Sequence, residues 1–280
     1  MSHSLSAPSL MNTFQSEISL KSSDTCIKSR IEECLWALDY PELQKACFLA
    51  RICQVKPPLH CRFCNVLSIL QSGPTCGITA LSMLLNGSPT IAELLEDAQR
   101  KQFTNNGEMF SARNLFQLIC DNLPFCNAVT NANNIKAKYN CSDRNCKIEC
   151  EMHEGRLNCA KVKETICQGA CIFVPYDTDF NHSPCLKFGH KSHWALIIGY
   201  LINDNDEFYV LARHGKSKNL AVWSLQALSD SNSNLMEFAQ PNRYLDCDFL
   251  LPPGGIGGDL GLRERAIIVK GLPHQILTIR

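Results

Sequence analysis

Residues 71–87 read QSGPTCGITALSMLLNG, and one thiol, Cys76, stands between Gly-Pro-Thr and Gly77. The apolar run Ile78, Ala80, Leu81, Met83, Leu84 and Leu85 follows it directly and predicts a buried helix. A cysteine meant only for packing belongs inside such a run. This one stands at its mouth, where the first backbone N–H groups of a helix have no carbonyl partner. A thiol attacks as thiolate, and the positive potential of a helix N-terminus lowers its pKa. Gln71 lies upstream on the preceding loop. Its amide and the Cys76 N–H together can hold the oxyanion of a substrate carbonyl, each donor worth about 2.7–4 kcal/mol. Gly73 and Gly77 are expected to let backbone and substrate approach closely.

A thiol nucleophile needs a group to take its proton. His193 opens HWALIIGY, the most apolar strand signal in the chain, so its imidazole would stand at the end of a rigid element. Each residue alone has a plain explanation: a buried small hydrophobe, a packed histidine, a loop glutamine. The three in this order point to nucleophilic acyl transfer. Glutamine, then cysteine at a helix start, then a distant histidine at a strand start is the order of papain-like peptidases, in which Cys and His meet in space.

The elements that must position these residues follow from periodicity and punctuation. The helix after Cys76 ends near Asn86 and Gly87. Ser88-Pro89 reads as an N-cap with proline at the first helical position, opening a helix to about Lys101 with Ile91, Leu94, Leu95 and Ala98 on one face. Ser111 caps a helix over about 112–122, and another runs near 158–168. CIFVP (171–175) is a short buried strand. HWALIIGY and FYVL (208–211), joined by a polar turn, form an antiparallel hairpin that LAVW (220–223) extends, and Ile267–Val269 make a late strand. Helices first and antiparallel strands after give an α+β layout. Residues 127–157 are polar and irregular with weak strand signals.

The domain organisation follows the same cues. Residues 1–28, rich in Ser and Thr, read as a loose tail. Residues 29–58 form a helical segment broken at Pro41 and closed by Pro57-Pro58, and 59–280 form the main domain. The 280 residues hold 27 Lys plus Arg against 27 Asp plus Glu, so net charge argues for neither nucleic acid nor an anionic membrane as partner. Seventeen cysteines without an export signal point to reduced thiols and a cytoplasmic location.

The longer blocks carry a specific resemblance. QSGPTCG (71–77), GEMFS (107–111), VPYDTDFNH (174–182), GHKSHWA (189–195), HGKS (214–217) and SNL (233–235) resemble the actin maturation protease family over roughly residues 60–270. That resemblance implies a papain-like fold and a cysteine aminopeptidase that removes the N-acetylated first residue, Met or Cys, from immature actin. Residue by residue it implies Cys76 as nucleophile, His193 as base and Gln71 as oxyanion donor, with no metal or other cofactor. Papain-like enzymes place Asn or Asp after the histidine strand to orient the imidazole, whereas this chain has Arg213-His214-Gly215. The orienting role is open among His214, Asp177, Asp179 and Asn181, with Asp179 the candidate taken forward. The implied substrate end is acidic, and Lys187, Lys191, Arg213, Lys216 and Lys218 cluster around the site blocks. Of these, Lys191, Arg213 and Lys216 are the candidate substrate-binding cations. Two other readings stay open. Cys61-x-x-Cys64 with Cys141, Cys146, Cys150 and Cys159 has roughly zinc-like spacing, which would make a metal-stabilised binding module. An actin-binding adaptor without turnover is the other.

Overall fold

The computed structural model describes residues 38–53, 56–123, 126–129 (as backbone) and 148–279. The proposed tail 1–28, the first helical stretch before Pro41, and Cys141 and Cys146 lie outside these residues. Helix α1 (Pro41–Ala50) starts at a proline, whose missing N–H costs nothing in a first turn. It is followed by β1 (His60–Cys64) and the helix that opens at the thiol, α2 (Cys76–Leu84). Helices α3 (Ile91–Arg100) and α4 (Ala112–Asn122) come next. Then follow β2 (Cys126–Val129), β3 (Ile148–Glu154), α5 (Ala160–Cys167), β4 (Cys171–Thr178) and β5 (Pro184–Cys185). The hairpin strands β6 (Ser192–Ile202) and β7 (Phe208–Arg213), β8 (Ala221–Ser224) and α6 (Leu225–Ser233) lead to β9 (Arg265–Lys270) and β10 (Ile276–Ile279).

The strands make one sheet in the order β10-β1-β6-β4-β9-β3-β2, with β5 on β4 and the pair β7-β8 on β6. Pairing is antiparallel except between β2 and β3, which run parallel. The fold is therefore mixed α and β on a largely antiparallel sheet. Among the described residues no helix is long and apolar enough to cross a membrane.

Strand β6 shows why its sequence is apolar almost throughout. Trp194, Leu196 and Ile198 enter the core layer that holds α2 and α4, while Ala195 and Ile197 enter the layer under α5 and α6. A strand covered on both faces loses the polar-apolar alternation of a half-solvated one. A bulge between Ile197 and Gly199 shifts the register against β7, and Leu201 rejoins the α2 side. The same two-sided burial splits β9, with Ile267 and Val269 on one face and Ala266 and Ile268 on the other.

Helix α2 is buried from Gly77 through Leu84, as a helix wrapped on all sides must be. Helix α3 starts two residues later than the Ser-Pro signal predicts. Its N-cap is Thr90, whose hydroxyl accepts from Glu93 N while the Glu93 carboxylate accepts from Thr90 N at 2.8 Å. This reciprocal box satisfies two orphan donors at once, more than Ser88 can offer. Ser111 caps α4 as expected, accepting from Asn114 N.

Candidate active site

Cys76 is the first helical residue of α2, with Thr75 as N-cap. The first intrahelical bond runs from Thr79 N to Thr75 O, which leaves the earlier N–H groups of the helix free of it. Thr75 is fixed by its hydroxyl, which donates to Ser72 O at 2.8 Å. Gly73 has φ +69° and nothing within 4 Å of a built Cβ, so it turns the chain and leaves the cavity open. Gly77 serves packing instead: a Cβ there would meet Met109 and Trp194 at 3.2 Å. Its bare backbone lets α2 lie against β6 and brings the thiol up to the strand that carries His193.

A cavity of about 350 Å³ is lined by Gln71, Cys76, His193, Lys191 and Lys216 together. Residues from the start of α2, the start of β6 and the loop after β7 thus meet at one place. Gln71 is held by its backbone N–H to Gly215 O at 2.8 Å and by its side-chain amide donating to Gly73 O at 2.8 Å. The second amide hydrogen is not used by that bond.

His193 is buried, and its Nε2 lies 2.6 Å from the carbonyl oxygen of His214. A carbonyl only accepts, so Nε2 carries the hydrogen and donates it. In the neutral ring Nδ1 is then the bare nitrogen, ready to take a proton. Tyr176 packs edge-on against the ring at 5.7 Å between centroids. Burial pushes His193 down to about 3 despite the favourable His214 carbonyl, and Lys216 and His214 push the same way. Burial likewise raises the Cys76 thiol, although the residue keeps part of its surface on the cleft. Backbone N–H groups of Trp194 and Gly77 and the charge of Lys216 pull it back. Desolvation outweighs the helix N-terminus, contrary to the expectation from sequence, and both shifts favour the uncharged forms, thiol and neutral imidazole.

Asp179 is not brought to His193. Its Oδ1 accepts from Asn181 N and Ser183 N, both at 2.8 Å, and closes the turn after β4. The orienting contact expected of it is made by the His214 backbone. Arg213 is also turned away from the cavity. Its buried guanidinium forks onto the Glu42 carboxylate of α1, Nη2 to Oε2 at 2.9 Å, and donates to Lys218 O. A substrate-binding role there would require breaking that pair. Lys191 and Lys216 do line the cavity, and both are exposed.

Three features carried no sequence signal of their role. The His214 carbonyl is backbone, which no residue type announces. Asp177 is fully buried, its carboxylate accepting from Lys187 N at 2.9 Å, Gly189 N at 2.7 Å and Lys191 N at 3.1 Å. It curls the 187–191 loop so that His190 and Lys191 reach the cavity. Glu108, inside the GEMFS block, accepts from Asn105 N, Asn106 N and Leu250 N and ties the 236–250 segment to the start of α4.

Cys61 and Cys64 are buried in β1, and Cys64 donates to Gly169 O at 3.5 Å. Among the described residues no group of three or more His, Cys, Asp or Glu could hold a metal ion.

The family model described as "Actin maturation protease-like, C-terminal domain" matches residues 66–144 and 136–201. The chain is 55% identical over 249 residues to the actin maturation protease of Drosophila melanogaster, covering 89% of this chain and 85% of the relative. It is 30% identical to that of Danio rerio over 68% of each chain, and 28% identical to that of Homo sapiens over 71% of this chain and 63% of the relative. With such similarity over most of its length, the chain belongs to the actin maturation protease family.

Proposed function

We propose that this protein is a cytoplasmic cysteine aminopeptidase that removes the N-acetylated first residue, Met or Cys, from immature actin. Residues 59–280 would form its papain-like peptidase domain, with the 29–58 segment docked on it through α1. The observation that carries the reading is the shared cavity of Cys76, His193 and Gln71, with the His193 tautomer set by the His214 carbonyl. The naming of the relatives as actin maturation proteases supports actin as substrate.

The chemistry follows from the neutral resting pair. His193 Nδ1 takes the thiol proton as Cys76 Sγ attacks the carbonyl of the acetylated residue, so base catalysis and attack coincide. The Cys76 N–H and the free hydrogen of the Gln71 amide receive the oxyanion. The imidazolium, stabilised by its Nε2–H bond to His214 O, protonates the departing amine. Water then releases the acetylated amino acid from the sulfur. Lys191 and Lys216 at the cavity edge would hold acidic residues that follow the cleaved bond.

The test is to incubate the protein with intact N-acetylated actin and with its N-terminal peptide and to follow the mass of one residue. Loss of that residue is expected from the wild type. Cys76→Ala and His193→Ala are each expected to lower kcat by at least about 10³-fold. Trimming that persists in Cys76→Ala would refute the mechanism, and failure of the wild type to trim actin would refute the reading as a whole.

A further inference from the structure

The cavity beside Cys76 is closed on one side by rings. Phe110, Phe238, Tyr244 and Phe249 all line it, together with the buried Met109 and Leu262. Phe110 stands 5.0 Å from Phe238 and 5.9 Å from Phe249 between centroids, and Phe249 stands 6.0 Å from Tyr244. All three contacts are edge-on, so edges and faces alternate along the wall. Each ring is half-buried, leaving part of its surface to the cavity. The wall begins next to the reacting groups, because Met109 packs on Gly77 and its carbonyl accepts the Trp194 indole N–H at 2.8 Å.

The one carboxylate among the described lining residues is Glu108, and both its oxygens are occupied by backbone N–H groups. The 236–250 segment that supplies three of the rings is fastened at several points. Leu250 N reaches Glu108, Asn105 and Asn106 side chains donate to Asp248 O, and Met236 N donates to Phe188 O. The wall is therefore a held surface.

We infer that this aromatic wall is the subsite for the side chain of the residue being released, and that it selects an uncharged apolar side chain, sulfur-bearing ones included. The inference rests on the proposed peptidase reading. A cavity of about 350 Å³ is at the small end of ligand pockets, which run from about 300 to 1,000 Å³, and suits one residue and its blocking group. Thioethers and thiols are polarisable and pack well at ring edges, whereas an amide set among Phe110, Phe238 and Phe249 would lose water and gain no hydrogen bond from those rings. Glu108 acts as a positioning residue for the wall.

The test uses acetylated peptides that differ only in the first residue, in near-isosteric pairs: Met against Gln and Cys against Ser. Wild-type kcat/KM is expected to favour Met over Gln by at least about tenfold, the usual scale of discrimination in an apolar pocket. Phe238→Ala and Phe249→Ala should each bring that ratio towards one, while Phe238→Leu keeps most of it. In parallel, Cys76→Ala protein, which needs no turnover, should bind the Met peptide more tightly than the Gln peptide by a similar factor. Equal treatment of the pairs by the wild type, or a ratio unmoved by both ring variants, overturns the subsite. Should a ring variant fail to fold, equal binding of the two peptides by Cys76→Ala protein still overturns it. A wild type that binds with this preference but never cleaves would sink the peptidase reading and leave the wall as a binding site for that side chain.

Discussion

The imidazole of His193 commits one nitrogen to the His214 carbonyl, and that bond settles which ring nitrogen carries the hydrogen. A backbone acceptor fixes tautomer and orientation without adding a full negative charge. The ring is therefore free to be strongly desolvated, and it is pushed down to about 3, with neighbouring His214 down to about 4, burial being the main cause in both. The sign for stability follows. Both groups have folded pKa values below the ordinary 6.5, so the unfolded chain takes up protons first as pH falls. The stabilisation is complete above about pH 6.5 and is lost between there and pH 4 to 3. The slope is about 1.4 kcal/mol per pH unit for each proton taken up. Urea unfolding at pH 7.5 and pH 5 should show this loss, and His193→Gln should make the dependence shallower. For the reaction, the basic form of free His193 should survive below pH 6, so kcat/KM should show no acid limb near 6.5.

Single buried carboxylates organise the loops that the helices and strands leave unpositioned. Asp177 ends β4 and gathers three N–H groups from the 187–191 loop. Asp177→Ala would orphan all three, at about 1–3 kcal/mol each before relaxation. Expected outcomes are a clear drop in melting temperature and a raised KM for the actin peptide, since Lys191 would lose its position. Asp177→Asn, which keeps an oxygen acceptor, should fall between Ala and wild type. Away from the cavity, the Thr90–Glu93 box starts α3. Thr90→Ala should cost about 1 kcal/mol in denaturant unfolding while leaving kcat unchanged.

Taken whole, the molecule sandwiches a long sheet between two helical layers, and β6 runs through its middle. Cys76 and His193 stand where the end of that strand meets the head of α2. Helix α1 closes the far side of the His214 turn by pairing Glu42 with buried Arg213. This cation therefore joins the N-terminal segment to the sheet. Glu42→Ala leaves the guanidinium without its carboxylate and should destabilise the protein by about 1–3 kcal/mol. Glu42→Ala with Arg213→Met should recover part of that loss, because an apolar side chain of similar length needs no partner in a buried site. Proteolysis within α1 in each variant would report the docking directly.

Much of this was legible in the residues. An apolar run with a thiol at its mouth dictated a buried helix with that thiol in its first turn. The unbroken apolarity of β6 dictated a strand covered on both faces. Serine before α4 dictated where that helix starts, because local hydrogen bonding at a cap involves only neighbours in sequence. Other matters waited for the tertiary structure. Asp179 and Arg213 have the right charges near the right blocks, yet their partners are Asn181, Ser183 and Glu42, and the last is distant in sequence. The group that orients His193 is a backbone carbonyl, present at every residue and so invisible in a list of side chains. The upward push on the Cys76 thiol comes from how much protein surrounds the sulfur, a sum over all packed elements that no local stretch contains.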